Sequence, residues 1–81
     1  MSPYESMRVI FRVFPDGDVI ALFPDDIADH ENNLMSYMRV GQHGAASPDL
    51  IKELRPATPK EYADLLSELN RIGYESLEVE S

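Results

Sequence analysis

Cysteine is absent from all 81 residues, which excludes disulfides, thiolate metal sites and cysteine nucleophiles together. Basic residues are scarce: seven Lys and Arg against fifteen Asp and Glu leave a net charge of −8. That balance argues against general nucleic-acid binding, because phosphates repel so acidic a chain at long range. Apolar runs are short, and none approaches the roughly 20 residues that span a bilayer. The opening MSPYESM has neither the basic region nor the apolar stretch of a secretory signal, so a cytoplasmic location is the default expectation.

What the chain does contain is enough apolar material for one folded unit. A hydrophobic fraction of 43% is too high for a disordered tail, and a second core would have too little chain to bury. Residues 1–6 read as a flexible lead and residues 7–81 as a single domain. A domain of this size buries only roughly 60–65% of its unfolded surface, so dimerisation is a natural way to add buried area.

Met7 to Phe14 (MRVIFRVF) is rich in β-branched and aromatic residues and alternates. Met7, Val9, Phe11 and Val13 share one face; Arg8, Ile10, Arg12 and Phe14 share the other. Pro15-Asp16-Gly17-Asp18 is a turn, since proline presets φ and glycine accepts a positive one. Val19 to Phe23 returns as the second strand of a hairpin; it is apolar on both faces, which marks a central position. Pro24 to Asn33 is read as a polar, acidic loop, and Leu34 to Val40 as a third strand. In that strand Met35, Tyr37 and Arg39 are assigned to one face and Leu34, Ser36, Met38 and Val40 to the other.

Gly41 to Pro48 reads as irregular, and Asp49 to Ala57 as ambiguous. DLIKELR could make two helical turns with Leu50, Ile51 and Leu54 on one side, or a short edge strand that Pro56 stops. Thr58 to Ile72 is the clearest element. Thr58 is the N-cap, Pro59 sits at N1 and Glu61 at N3, a capping box. Tyr62, Leu65, Leu66, Leu69 and Ile72 form one apolar stripe, and Gly73 suits the C′ position. Tyr74 to Val79 alternates as a last strand with Leu77 and Val79 inward. The expected fold is α+β: a small, mostly antiparallel sheet of four to five strands with one C-terminal amphipathic helix on one face, in the order β-β-β-(β)-α-β.

One helix covers one face. If it shelters Val9, Phe11, Val13, Met38 and Val40, then Arg8, Ile10, Arg12, Phe14, Met35, Tyr37 and Arg39 form an open arginine–aromatic surface. Arg and Tyr are enriched at binding hot spots, and arginine forks onto carboxylates. The surface therefore reads as a docking face for an unidentified acidic partner or for a second copy, with Arg8, Arg12, Tyr37 and Arg39 as anchors. The bland alternative is a solvated face whose arginine stems shield apolar groups.

Gln42 and His43, bracketed by Gly41 and Gly44, stand at the edge of that surface. A histidine there could be a general base, a ligand or a proton-sensitive contact, or it could simply pack on Tyr37. Ser36 and Ser47 are near in sequence, but no G-x-S-x-G signature surrounds them. The acidic run Asp25-Asp26-Ile27-Ala28-Asp29-His30-Glu31 lacks EF-hand spacing, and His30 has no i+4 partner for zinc. It reads as a solvated loop in which Asp25 or Asp26 caps a turn; no metal and no cofactor are expected. An enzyme or ligand binder centred on Tyr37, Gln42 and His43 is the competing reading. A nucleic-acid mimic built from the helix acids and Glu75, Glu78 and Glu80 is a third.

Three separated segments, MRVIFRVF…DVIALFP, MSYMRVGQHGAA and RPATPKEYADLLSELNRIGYE, together resemble a family of short bacterial, phage and mobile-element proteins. These share a [ML]-S-Y-x-H/R-[VI]-G-Q-H-G segment and a P-A-[TK]-P-x-E-Y helix start. The resemblance covers nearly all of residues 7–75 and implies a soluble stand-alone domain without an assigned activity. Two departures stand out: residues 1–6 precede the usual start, and Arg39 replaces a frequent histidine, which weakens any two-histidine site with His43. Relatives carry a V-I-R-x-T-x-P-A run matching Leu50 to Ala57, which favours a strand there.

Overall fold

The computed structural model describes residues 7–39, 42–74 and 76–80, so the expected lead at 1–6, along with Val40, Gly41, Glu75 and Ser81, lies outside the described residues. The chain order is β1 (Met7–Val13), β2 (Val19–Ile27), β3 (Leu34–Met38), β4 (Gln42–Ala46), α1 (Leu50–Glu53), β5 (Arg55–Pro56), α2 (Pro59–Arg71) and β6 (Leu77–Glu80). The fold is α+β, with a largely antiparallel sheet and α2 packed on it. The strands run β4-β3-β2-β1-β5, and β6 lies parallel to β1 on the same side as β5.

The β1–β2 hairpin closes as its residues dictate. Gly17 N donates to Phe14 O at 2.8 Å, Phe14 N donates to Asp18 O at 2.8 Å, and Gly17 takes φ +97°. Only glycine holds that angle without a Cβ penalty. β2 is central: Ile20, Ala21, Leu22 and Phe23 are all buried, so both sheet faces need a cover. β2 also runs through Pro24 to Ile27, with a register shift between Phe23 and Ile27, so the first four residues of the expected acidic loop are strand.

α2 begins with the expected capping box. Glu61 N donates to Thr58 Oγ1 at 3.3 Å, and Thr58 N donates to Glu61 Oε1 at 2.9 Å. Its stripe buries Leu65 and Leu69 against Val9, Phe11, Ala21, Phe23 and Tyr37. Each such leucine contributes about 1.5–3 kcal/mol. Tyr62 stacks on Phe11 with centroids 4.5 Å apart, and Tyr74 stacks on Phe23 at 5.1 Å. Gly73 follows the helix at φ +123°.

The second face is not open. Ile10, Ile20, Leu22 and Ala46 make a second buried cluster, covered by Phe14, Met38, Leu50, Ile51 and Leu54. The ambiguous segment is therefore both of its alternatives in turn: Leu50–Glu53 is a helical turn laid over that face, and Arg55–Pro56 is a two-residue strand on β1. Ala57 N extends the contact by donating to Phe11 O at 3.1 Å.

The faces of the third strand are also the reverse of the expected ones. Ala21 pairs with Tyr37 and Phe23 with Met35, so Tyr37 and Met35 lie beneath α2, while Leu34, Ser36 and Met38 face α1. A one-residue change of register swaps every side chain across the sheet, and the bulge after Phe23 sets that register.

Candidate functional site

The expected anchors do not share a surface. Arg12 is 5% exposed. Its Nε donates to Ile51 O at 3.0 Å and its Nη1 to Phe11 O at 3.1 Å, so the guanidinium ties α1 to the sheet. Arg8 is exposed but engaged: Nε and Nη2 fork onto Asp25 at 2.9 and 2.6 Å, and Nη1 reaches Glu80 at 3.3 Å. That fork holds the Asp25 carboxyl below its ordinary pKa and raises that of Arg8. The acid expected on a partner is thus supplied by the same chain.

Tyr37 sits on the opposite face from Arg8 and Arg12, buried, with its hydroxyl donating to the Glu68 carboxylate. Arg39 is exposed just after β3. The acidic loop folds around Asp29, whose Oδ1 accepts from Glu31 N at 2.9 Å and Asn33 N at 3.2 Å. Asn33 Nδ2 donates to Asp29 Oδ2 at 2.9 Å, which lowers the carboxyl's pKa. The turn-capping acid is Asp29, rather than Asp25 or Asp26.

Tyr37 and His43 do meet. They are cross-strand partners, and their rings make an edge contact with centroids 4.7 Å apart. His43 is exposed, and no acid or serine hydrogen-bonds it among the described residues. Gln42 opens β4 through its backbone. Among the described residues, no group of three His, Cys, Asp or Glu is placed to hold a metal. No helix there is long and apolar enough to cross a membrane.

β4 is an element that its own residues do not announce. QHGAA has no β-branched residue and no alternation, so nothing in it signals a strand; β3 makes it one through five consecutive cross-strand pairs. β4 ends the sheet, and among the described residues nothing pairs with its outer edge. Ser36 Oγ donates to Gly44 O at 2.9 Å, which puts that carbonyl on the β3 side. Alternation then turns the N–H and C=O groups of His43 and Ala45 outward. The close Tyr37–His43 ring contact agrees, because side chains approach nearest in pairs that do not exchange hydrogen bonds.

Each side of this edge carries an open groove. On the α2 side, Tyr37, His43, Ile72, Gly73 and Tyr74 line about 490 Å³. On the α1 side, Phe14, Met38, Gly44, Ala46 and Leu50 are among the residues lining about 420 Å³. Ile72, expected in the core stripe, is 48% exposed at the helix C-cap, because Gly73 turns the chain away there. The far side of the sheet is differently finished. β5 is two residues long and ends in Pro56, and β6 carries exposed Glu78 and Glu80. Proline, charge and brevity are the devices that keep an edge from pairing, and β4 has none of them.

Comparison with protein-family models, curated proteins and solved structures gives no match, so the three-motif resemblance rests on those residues alone.

Proposed function

We propose that this chain is a small protein-interaction module that accepts an added β-strand along β4. The observation that carries the reading is a terminal strand whose outer edge has no pairing partner among the described residues, with outward backbone groups at His43 and Ala45 and an apolar groove on either side. Main-chain hydrogen bonds supply affinity in this mode, and alternate side chains dropping into pockets supply specificity. His43 and Ile72 border the α2-side groove, with Tyr37 as its floor. Arg8 and Arg12, engaged within the chain, stand outside the site. An accessory role of this kind fits the resemblance to phage and mobile-element proteins.

Ala45→Pro tests the reading, because it removes an outward N–H without touching the β3 ladder. Proteins captured on the wild-type chain from a lysate should be lost on the variant, while far-UV circular dichroism stays unchanged. Retention of every captured protein by a folded Ala45→Pro chain removes the strand-addition reading.

A further inference from the structure

We infer that the strand added to β4 is β4 of a second copy, paired antiparallel about a two-fold axis through Gly44. The inference rests on the strand-addition reading and names its partner. Three observations converge on it.

The first is charge. The chain carries −8, so two copies repel wherever acids face each other. No Asp or Glu occurs from Leu34 to Pro48, and that stretch includes all of β3 and β4. β3 and β4 themselves therefore add no carboxylate to such a seam, and Glu68, behind the edge, is engaged by the Tyr37 hydroxyl.

The second is Gly44. Its φ lies outside the positive region, and a Cβ added there meets nothing within 4 Å. The monomer gives no reason for glycine, which weakens a strand, and in a seam glycine leaves the central pair unobstructed while the spacing of that pair also admits a side chain as small as cysteine. Pairing that overlaps all of Gln42–Ala46 puts Gly44 opposite its own copy.

The third is complementarity in that register. His43 falls opposite Ala45, a large residue against a small one. Since His43 and Ala45 face outward, each His43–Ala45 pair exchanges two hydrogen bonds, four in all across the axis. The axis is perpendicular to the sheet, so both α2 helices stay on one side and the two Ile72-lined grooves face each other across the seam.

The chain has no cysteine, so an introduced one reports register directly. In this pairing Gly44 meets Gly44 as a pair without mutual hydrogen bonds, with Cα atoms about 4.5 Å apart, inside disulfide range. His43 is two residues out of step with its own copy, about 9 Å away and beyond bridging. Light scattering of the wild type at about 100 µM, a concentration suited to a small interface, should give twice the 9.2 kDa chain mass. Mild oxidation should convert Gly44→Cys to a reducible covalent dimer and leave His43→Cys without a cross-link on a denaturing gel. The reduced variants should melt near the wild type, and folded Ala45→Pro should have single-chain mass.

A single-chain mass for the wild type overturns the inference. So does equal cross-linking of both cysteine variants, or a dimer that survives Ala45→Pro. If the wild type is monomeric yet captures another protein in an Ala45→Pro-sensitive way, strand addition stands and the second copy is refuted.

Discussion

Arg12 is the most informative side chain to remove. Arg12→Met keeps an apolar stem in the same space and deletes both guanidinium hydrogen bonds. Their losses are unequal. Phe11 O still accepts from Ala57 N at 3.1 Å, whereas Ile51 O gives up its 3.0 Å bond from Arg12 Nε. A hydrogen bond from a charged donor contributes about 1.5–3 kcal/mol, and an arginine buried with no carboxylate partner among the described residues carries a desolvation cost that methionine avoids. The net expectation is a loss of about 2 kcal/mol, concentrated where α1 meets the sheet. For a domain of this length that lowers the melting temperature by about 8–16 °C. Thermal unfolding followed by circular dichroism measures it, with Arg8→Met as the companion. Arg8 is exposed, and its ion pairs should matter little, so that variant should melt close to the wild type. An Arg12→Met protein within about 3 °C of the wild type would refute the idea that this guanidinium fastens the second face.

Thr58→Ala removes the hydroxyl that accepts from Glu61 N and should cost about 1 kcal/mol, read as a shift in denaturation midpoint at constant slope. Acid should destabilise the fold over a defined range. The Arg55 fork and the Thr58 amide hold the Glu61 carboxyl at about 2, against an ordinary value of 4.5. Asp25 and Asp29 are lowered as well, chiefly by hydrogen bonds from Arg8 and Asn33. A depressed folded-state value means that the stabilisation is complete above the ordinary value and disappears as pH falls through the depressed one. The melting temperature should therefore hold steady from pH 7 to about 5 and fall below about 4.5, and Glu61→Gln should flatten that fall. A decline of equal steepness in Glu61→Gln would assign it elsewhere.

Local chemistry was readable wherever a residue acts on its own neighbours. The Pro15-Asp16-Gly17-Asp18 turn, the Thr58 capping box, the Gly73 terminus and the two-sided burial of β2 each follow from backbone preference or short-range periodicity. Three features were not readable, and each depends on contacts distant in sequence. The faces of β3 follow from a bulge between Phe23 and Ile27 of the preceding strand, and a one-residue slip reverses them. Leu50–Glu53 is too short to declare itself as helix; it holds because Ile10, Ile20 and Leu22 need a cover and Arg12 anchors it. β4 has no strand propensity and exists through its pairing with β3.

The candidate site divides along the same line. The LMSYMRVGQHG stretch stands out as a sequence, because a polar pair among glycines is not what a core demands. Its use could not be read there. Sequence alone determined the β1–β2 hairpin, α2 with its caps and the acid-free stretch around β3 and β4, since those depend on residue type and spacing. Only the tertiary structure decided which arginines are already spoken for, which face Tyr37 occupies and which strand is left at the border of the sheet, because hydrogen-bond register and edge position belong to the pairing of strands rather than to any one of them.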